Sequence, residues 1–326
     1  MIVISGITSS LGICLSLFLA EKGIKVLGFA RNIDSVKTLL SHPLIQLKSA
    51  DINDEATMRS ICLNADVIVH LAALSSPWGK YTDFYKVNVE GTKSMINAAK
   101  EAKVNRFIHI STPSIYFDYQ DRFNISETDL LPKTYVNSYA KTKKLAEEVV
   151  DLAFSEGLPT ITLRPRAIFG PFDKTLFPRV LKACREKGVP SFGKNSPIID
   201  ITYVDNVVHA IWLAINAPSI CLGQKYNITN DEPAPLTRIL DHLFTELSLP
   251  LIIRSVPYSL GFAAAIFSEM KAFFVNKEPA LTRYGVGVLT YSQTLCIKKA
   301  KDELNYQPII SLNEGIKRYA NWLQAQ

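Results

Sequence analysis

The sequence predicts an α/β protein: a doubly wound parallel sheet with a smaller, mainly helical carboxy-terminal substrate lobe. Three observations carry that prediction. Short apolar runs alternate with helical patterns through residues 1–171. The first run ends in a glycine turn that opens a helix. After Pro171 the alternation fails, and helices and loops dominate. At 326 residues the chain has room for both parts and ample apolar residues for a core.

Met1-Ile2-Val3-Ile4 reads as a buried strand bounded by Ser5-Gly6, and Ile13, Leu15, Leu17, Phe18 and Leu19 suit a mostly buried helix ending near Gly23. Residues 24–30 form the second strand, and 44–47, 66–71 and 106–110 are three more apolar runs. Helical patterns at 55–63 and 88–102 separate them, which implies a parallel sheet covered on both faces. Residues 172–193 and most of the chain after Asn227 read as the smaller lobe, with 198–204 and 225–228 returning to the sheet. The expected division is therefore a dinucleotide-binding domain of 1–171 plus the returning segments near 198–228, and a substrate-binding lobe of 172–197 and 229–326.

Composition narrows the class. The formal charge of +6 is spread along the chain without a basic block, so no nucleic-acid partner is expected and anionic small ligands are favoured. Cys14, Cys62, Cys184, Cys221 and Cys296 are odd in number and show no metal-ligand spacing, which suits reduced core residues of a cytoplasmic protein with no metal site. The opening strand argues against a signal peptide. The longest apolar run, 256–275, carries Pro257, Glu269 and Lys271, so no transmembrane segment is expected, while peripheral membrane contact stays open.

Strand, glycine turn and helix direct backbone N–H groups and a helix dipole at a pyrophosphate. The turn is Gly6-Ile7-Thr8-Ser9-Ser10-Leu11-Gly12, a GxxGxxG pattern with Ser9 in the middle, small enough to admit a phosphate and able to donate to it. Where the second strand ends, an acid commonly holds the adenosine ribose. Here Ala30 takes that place and Arg31 and Asn32 follow, which favours NADP(H), with NAD(H) as the other option, because a guanidinium suits a 2′-phosphate. Asp51-Ile52 follows the third strand, where the carboxylate could take the adenine amino group, and Leu71-Ala72-Ala73 follows the fourth, small enough to let a ribose lie against the backbone.

Tyr139 and Lys143 stand four residues apart, on one face of a helix. A cation beside a phenol lowers its pKa and makes Tyr139 a proton donor to a carbonyl near neutral pH. The same spacing occurs on ordinary amphipathic helices, so the pair gains weight from the motifs around it.

Taken together, the motifs resemble the extended short-chain dehydrogenase/reductase family, which includes NAD-dependent epimerases and dehydratases and shares the Rossmann-type sheet. The matching pieces are the glycine turn, Asp51-Ile52, His70-Leu71-Ala72-Ala73, Asn88-Val89-Glu90-Gly91-Thr92, Ile110-Ser111-Thr112-Pro113-Ser114, Tyr139 to Lys143, and Arg164-Pro165-Arg166-Ala167-Ile168-Phe169-Gly170-Pro171. Tyr203-Val204-Asp205 and Glu303-Leu304-Asn305-Tyr306-Gln307-Pro308 extend the match to nearly the whole chain. The resemblance implies Tyr139 as the catalytic acid/base, Lys143 as the cation that tunes it and holds the nicotinamide ribose, and Thr112 as the hydroxyl on the substrate oxygen. It places Pro165, Ala167 and Ile168 beside the nicotinamide, puts Asn88 on a supporting helix and implies a homodimer. Trp78-Gly79-Lys80-Tyr81, the Ser-Thr-Pro-Ser run and the Arg-Pro-Arg-Ala run look most like the 3β-hydroxysteroid dehydrogenase branch, with its reductases of long-chain 3-oxo acids.

The implied activity is an NAD(P)-dependent oxidoreductase interconverting a secondary alcohol and a ketone on a mainly apolar small molecule. The resemblance further implies that nucleotide-sugar enzymes of the family often carry an arginine where this chain has Ile199. A nucleotide-sugar epimerase or dehydratase and a non-catalytic dinucleotide sensor are the alternatives. Arg179, Arg238 and Arg283 are candidates for a substrate carboxylate, though a surface role suits each better. The 256–275 stretch reads as an ordinary core helix or as an apolar pocket or membrane-facing lid, with the core helix slightly favoured.

Overall fold

A computed structural model describes residues 1–193, 196–275 and 277–326 of the chain. The amino-terminal part runs β1 (Ile2–Ser5), α1 (Ser10–Glu21), β2 (Val26–Ala30), β3 (Ile45–Ser49), α2 (Glu55–Cys62), β4 (Val67–His70), α3 (Tyr81–Tyr85), α4 (Gly91–Glu101), β5 (Arg106–Ile110), β6 (Arg122–Ile125), α5 (Ser138–Ser155) and β7 (Thr160–Pro165). A π-helical turn, Lys86–Glu90, joins α3 to α4. Then follow β8 (Ile168–Phe169), α6 (Phe177–Glu186), β9 (Val189–Phe192), β10 (Ile198–Ile199), β11 (Thr202–Tyr203), α7 (Val204–Ile215), β12 (Lys225–Ile228) and β13 (Ala234–Pro235). The chain closes with α8 (Leu236–Glu246), β14 (Ile253–Val256), α9 (Tyr258–Val275), α10 (Arg283–Val288), β15 (Gln293–Leu295), α11 (Lys298–Leu304) and α12 (Leu312–Gln324).

Seven strands form one sheet in the order β12-β7-β5-β4-β1-β2-β3, parallel throughout. Period-two alternation splits its side chains between two cores. Val3, Phe29, Ile68 and Phe107 pack with Met95, Ile96 and Val150 of α4 and α5. Ile4, Val69, Ile108 and Ile161 pack with Leu15, Leu19, Val207 and Ile211 of α1 and α7. Apolar residues on both faces of each strand are what the near-continuous apolar runs require.

The chain leaves β1 toward β2 on one side and returns through β4 on the other, so the strand order reverses at the β1/β4 boundary. Ligands of such sheets bind in the crevice at the carboxyl ends of the strands there. Gly6 and Leu71 follow those two ends.

Of the returning segments, 225–228 joins the main sheet as β12. Ile198 and Ile199 instead enter a second sheet, β13-β10-β15-β6, and β11 pairs with β8. The lobe is thus less purely helical than its sequence suggested, because these strands are too short to show a period. The 256–275 stretch is continuous helix from Tyr258, with Pro257 just ahead of it, where a missing N–H costs nothing. It is not the favoured core helix: only Gly261, Ala265 and Ala272 are buried. Among the described residues it is the one helix long and apolar enough to cross a membrane.

Candidate active site

The glycine turn is held shut by its own atoms. Gly6 has φ +74°, and a Cβ there would lie 2.9 Å from the Ala72 nitrogen, while one on Gly12 would lie 2.7 Å from the Gly6 carbonyl oxygen. Only glycine fits either place. The amide of Gly12 donates to Ser9 Oγ (3.0 Å), which in turn donates to Gly6 O (2.9 Å), so Ser9 caps α1. The hydroxyl that the sequence offered to a phosphate is spent on the turn. Ser10 Oγ donates to Pro171 O at 2.6 Å, and Leu11 is buried. No acid stands in the first turn of α1, so its amides and dipole face the crevice unopposed, and a dinucleotide pyrophosphate fits this cradle.

Beside the cradle, Ser5 Oγ accepts the amides of Leu71 (3.1 Å) and Ala72 (3.0 Å) and bonds His70 Nδ1 at 2.8 Å. The other ring nitrogen of His70 bonds Thr92 at 2.9 Å. Burial pushes His70 down to about 3, so the ring is neutral and serves as a strap that holds Leu71, Ala72 and Ala73 against the turn. Further out, Arg31 is exposed. Asn32 accepts the Asp34 amide at 2.8 Å, which makes it a turn-former. Asp51 accepts from Asn53 at 3.0 and 3.1 Å, and the backbone bond from Asn53 holds its carboxyl below the ordinary value. Ile52 is buried beside it.

Across the crevice, the Ala140 amide donates to Asn137, which caps α5. Tyr139 therefore lies in the first turn, at the positive end of the helix dipole, with Lys143 one turn on. Thr112 leaves β5 as the cap of a tight helical turn, Pro113–Tyr116, accepting the Ser114 amide at 3.2 Å and donating to Ser114 Oγ at 3.1 Å. Burial raises the Tyr139 phenol, and the nearby hydroxyls of Thr112 and Ser75 oppose the rise. The Lys143 ammonium donates to Ile110 O at 2.7 Å and lies 3.5 Å from His109 Nε2. Burial lowers Lys143 itself to about 8. Desolvation of phenol and ammonium outweighs their i,i+4 spacing.

Further groups support this site. Asn88 accepts the Leu74 amide (2.7 Å) and donates to Thr142 (3.0 Å), so the π-helical turn staples the 71–80 loop to α5. Arg164 clasps Glu147 with two bonds, at 2.8 and 2.6 Å, and reaches the Tyr116 hydroxyl, which donates to Asn227 at 3.2 Å. Burial pushes Glu147 up, but Arg164 pulls it below the ordinary carboxylate value. Tyr284, from α10, brings its hydroxyl to 3.0 Å from Ser114 Oγ. His70, Asn88, Thr92, Ser114 and Arg164 lay in motifs the sequence singled out, whereas Tyr116, Glu147, Asn227 and Tyr284 did not. Ala167 follows β7 with φ +44°, a strained value for a non-glycine residue, between Pro165 and Ile168. The arginine candidates lie elsewhere: Arg179 pairs with Glu278, Arg283 with Glu269, and Arg238 lines a small cleft with Glu232 and His242.

A glycine cradle, a tyrosine and lysine one turn apart and a capping threonine thus share one sheet edge. A family model described as the 3-beta hydroxysteroid dehydrogenase/isomerase family matches residues 10–256. The chain belongs to that family. It is an extended short-chain dehydrogenase/reductase, an NAD(P)-dependent oxidoreductase. Its relatives include an uncharacterized protein of Escherichia coli, YbjS, 37% identical across 99% of this chain and 97% of the relative. A 2-alkyl-3-oxoalkanoate reductase of Shewanella oneidensis is 31% identical across 97% of this chain and 84% of the enzyme. In structure the chain is similar to UDP-glucuronic acid 4-epimerase of Bacillus cereus, solved in complex with NAD, with a TM-score of 0.80 at 22% identity over 99% and 98% of the two chains. Members of the 3-beta hydroxysteroid dehydrogenase family and nucleotide-sugar enzymes thus share this frame. Ile199 is buried in β10.

Proposed function

We propose that this member of the family interconverts a ketone and a secondary alcohol on a mainly apolar substrate of the 3-oxo acid or sterol kind, preferring NADP(H) to NAD(H). The observation that carries the reading is the polar cluster at the mouth of the sheet: Tyr139, in the first turn of α5, stands one helical turn ahead of the buried Lys143, and Thr112 caps the turn that follows β5.

The amides of the turn from Gly6 to Gly12 would hold the pyrophosphate, with Asp51 and Ile52 at the adenine, Leu71, Ala72 and Ala73 along the ribose, and Pro165, Ala167 and Ile168 beside the nicotinamide. The cofactor, when bound, supplies or accepts the hydride. Thr112 holds the substrate oxygen and Tyr139 moves the proton to or from it. Lys143 grips the nicotinamide ribose, and with the N-terminus of α5 it stabilises the phenolate that Tyr139 leaves.

Arg31 is exposed at the end of β2, with no acid at Ala30, and a guanidinium there suits a 2′-phosphate. Buried Ile199 offers nothing to a diphosphate, which favours an apolar substrate. The outward face of α9 supports peripheral contact with a lipid surface from which such a substrate would enter.

Tyr139→Phe should leave NADPH binding intact by fluorescence titration and lower ketone reduction by ~10²–10⁴-fold. Full activity in that variant would remove Tyr139 from the chemistry. Arg31→Ala should weaken NADPH and leave NADH unaffected, and equal affinities in the unaltered protein would remove the cofactor preference.

A further inference from the structure

Arg164 and Arg166 stand two residues apart and differ in what holds them. Arg164 makes three hydrogen bonds, two with Glu147 and one with the Tyr116 hydroxyl. Arg166 is 6% exposed, yet its Nε finds no partner among the described residues. A guanidinium cannot shed its proton to escape burial, so it needs an anion. The acid that feels its charge is Asp200, after β10, whose Oδ2 accepts the Leu295 amide at 2.8 Å. Burial pushes Asp200 up to about 6 against the pull of the Leu295 amide and Arg166.

The place of Arg166 follows from the sheet. Its amide donates to Ile228 O at 3.0 Å, so the ladder with β12 runs one residue past β7, and the side chains of Arg164 and Arg166 share a face. That face is the one on which Arg164 meets Glu147 of α5 and Tyr116. Ile110 of β5 pairs with Leu163 of β7, and the same register carried onward sets Arg166 level with Pro113, in the turn that Thr112 caps. Arg166 therefore stands at the carboxyl edge of the sheet, one strand from Thr112. The cofactor's own phosphates are out of its reach: β7 lies three strands from β1, roughly 14 Å at the usual strand spacing. One guanidinium beside Asp200 matches one negative charge, which fits a carboxylate and not a diphosphate. Neighbouring strands are ~4.8 Å apart, so a carbonyl oxygen at Thr112 and a carboxylate at Arg166 must sit close together on the substrate, as they do in a 3-oxo acid.

We propose that Arg166 binds the substrate carboxylate and makes the site selective for 3-oxo acids and the matching 3-hydroxy acids over neutral ketones, esters and sterols. The inference rests on the reading of Thr112 and Tyr139 as the groups on the reacting oxygen. No bond is made or broken at Arg166: the carboxylate enters charged, takes two parallel N–H bonds from the guanidinium and leaves charged. A neutral head group strands the buried guanidinium without an anion, and that cost rejects it.

The test is oxidation of 3-hydroxy acids, straight-chain and 2-alkylated, against their methyl esters, with NADP and with NAD, and with Tm and NADPH affinity measured alongside. In the unaltered protein kcat/KM should favour acid over ester on the order of 10- to 100-fold, the range of a hydrogen bond to a charged group. Arg166→Met, unbranched and apolar, should cut kcat/KM for the acids by that factor, mainly through KM, and change the esters far less, so that the preference collapses. Arg166→Lys keeps the charge and loses the fork, so it should retain part of the preference. If Arg166→Met fails to fold, the reduced preference of Arg166→Lys reads the same contact. A structural partner of Asp200 would instead slow acids and esters alike when replaced. Equal turnover of acid and ester in the unaltered protein, a uniform loss in the variants, or a full acid preference in Arg166→Lys would each overturn the inference. A loss of NADPH affinity as large as the loss on the acids would place the guanidinium on the cofactor and overturn it too. Tyr139→Phe separates the two levels. Its full activity, or an unaltered protein that oxidises neither acids nor esters, removes the reading of the site, whereas an inactive Tyr139→Phe beside an unaltered protein indifferent to the carboxylate removes the inference about Arg166 alone.

Discussion

Around α5 the polar groups are buried and matched, whereas α9 keeps most of its apolar surface outside. Glu147 and Arg164 are 0% and 3% exposed and satisfy each other, Tyr116 and Asn227. Along α9, Phe267, Phe273 and Phe274 are 71%, 74% and 82% exposed. The first region fixes side chains to the tolerance that proton transfer needs. The second is bound lightly to the body of the protein, and lightly held elements are those that move to admit a ligand. A rigid polar edge thus stands beside a lightly packed apolar helix, and Tyr284 of α10 meets the edge at Ser114.

The comparison breaks most visibly if the buried network is dispensable. Glu147→Ala leaves Arg164 as an unpaired buried cation and should cost ~3–5 kcal/mol in denaturant unfolding. A cost below ~1 kcal/mol would mean that the edge is not held by this pair.

A smaller effect comes from pH. Burial holds His70 near 3 and His109 well below the ordinary histidine value, while the unfolded chain takes up those protons near ~6.5. The unfolded state then binds more protons, so stability falls as the pH drops through that range. Lys143, lowered to about 8, acts in the same sense at the alkaline end: the unfolded chain keeps that proton longer, so stability rises with pH above about 8. Tm measured from pH 5 to pH 10 reads both limbs, and a flat acid limb would contradict the buried neutral rings.

The smallest change is expected on α9. Phe273→Ser with Phe274→Ser should shift stability by no more than ~0.5 kcal/mol, as exposed positions do, yet abolish sedimentation with phospholipid vesicles. A loss of several kcal/mol would place α9 with the rigid region and erase the contrast.

Much of the rigid edge was legible because its signals are local. Gly6 and Gly12 stand out through a close approach that no side chain survives, and Tyr139 and Lys143 through the spacing of one helical turn. The supports were not legible. Arg164 meets Glu147 across 17 residues and two elements, and Ser114 meets Tyr284 across 170 residues, at distances where no sequence period operates. The exposure of α9 was hidden for the same reason, since an apolar helix reads alike whether packed or bare.

By itself the sequence determined the parallel sheet, the glycine turn and the placing of Tyr139 and Lys143 one helical turn apart, because alternation, turn glycines and i,i+4 spacing act within a few residues. Only the tertiary structure decided that Ser9 serves its own helix, that Lys143 turns to a backbone carbonyl, and that a tyrosine of the far lobe meets Ser114. Those outcomes depend on which groups lose water together, and desolvation is a property of the packed chain.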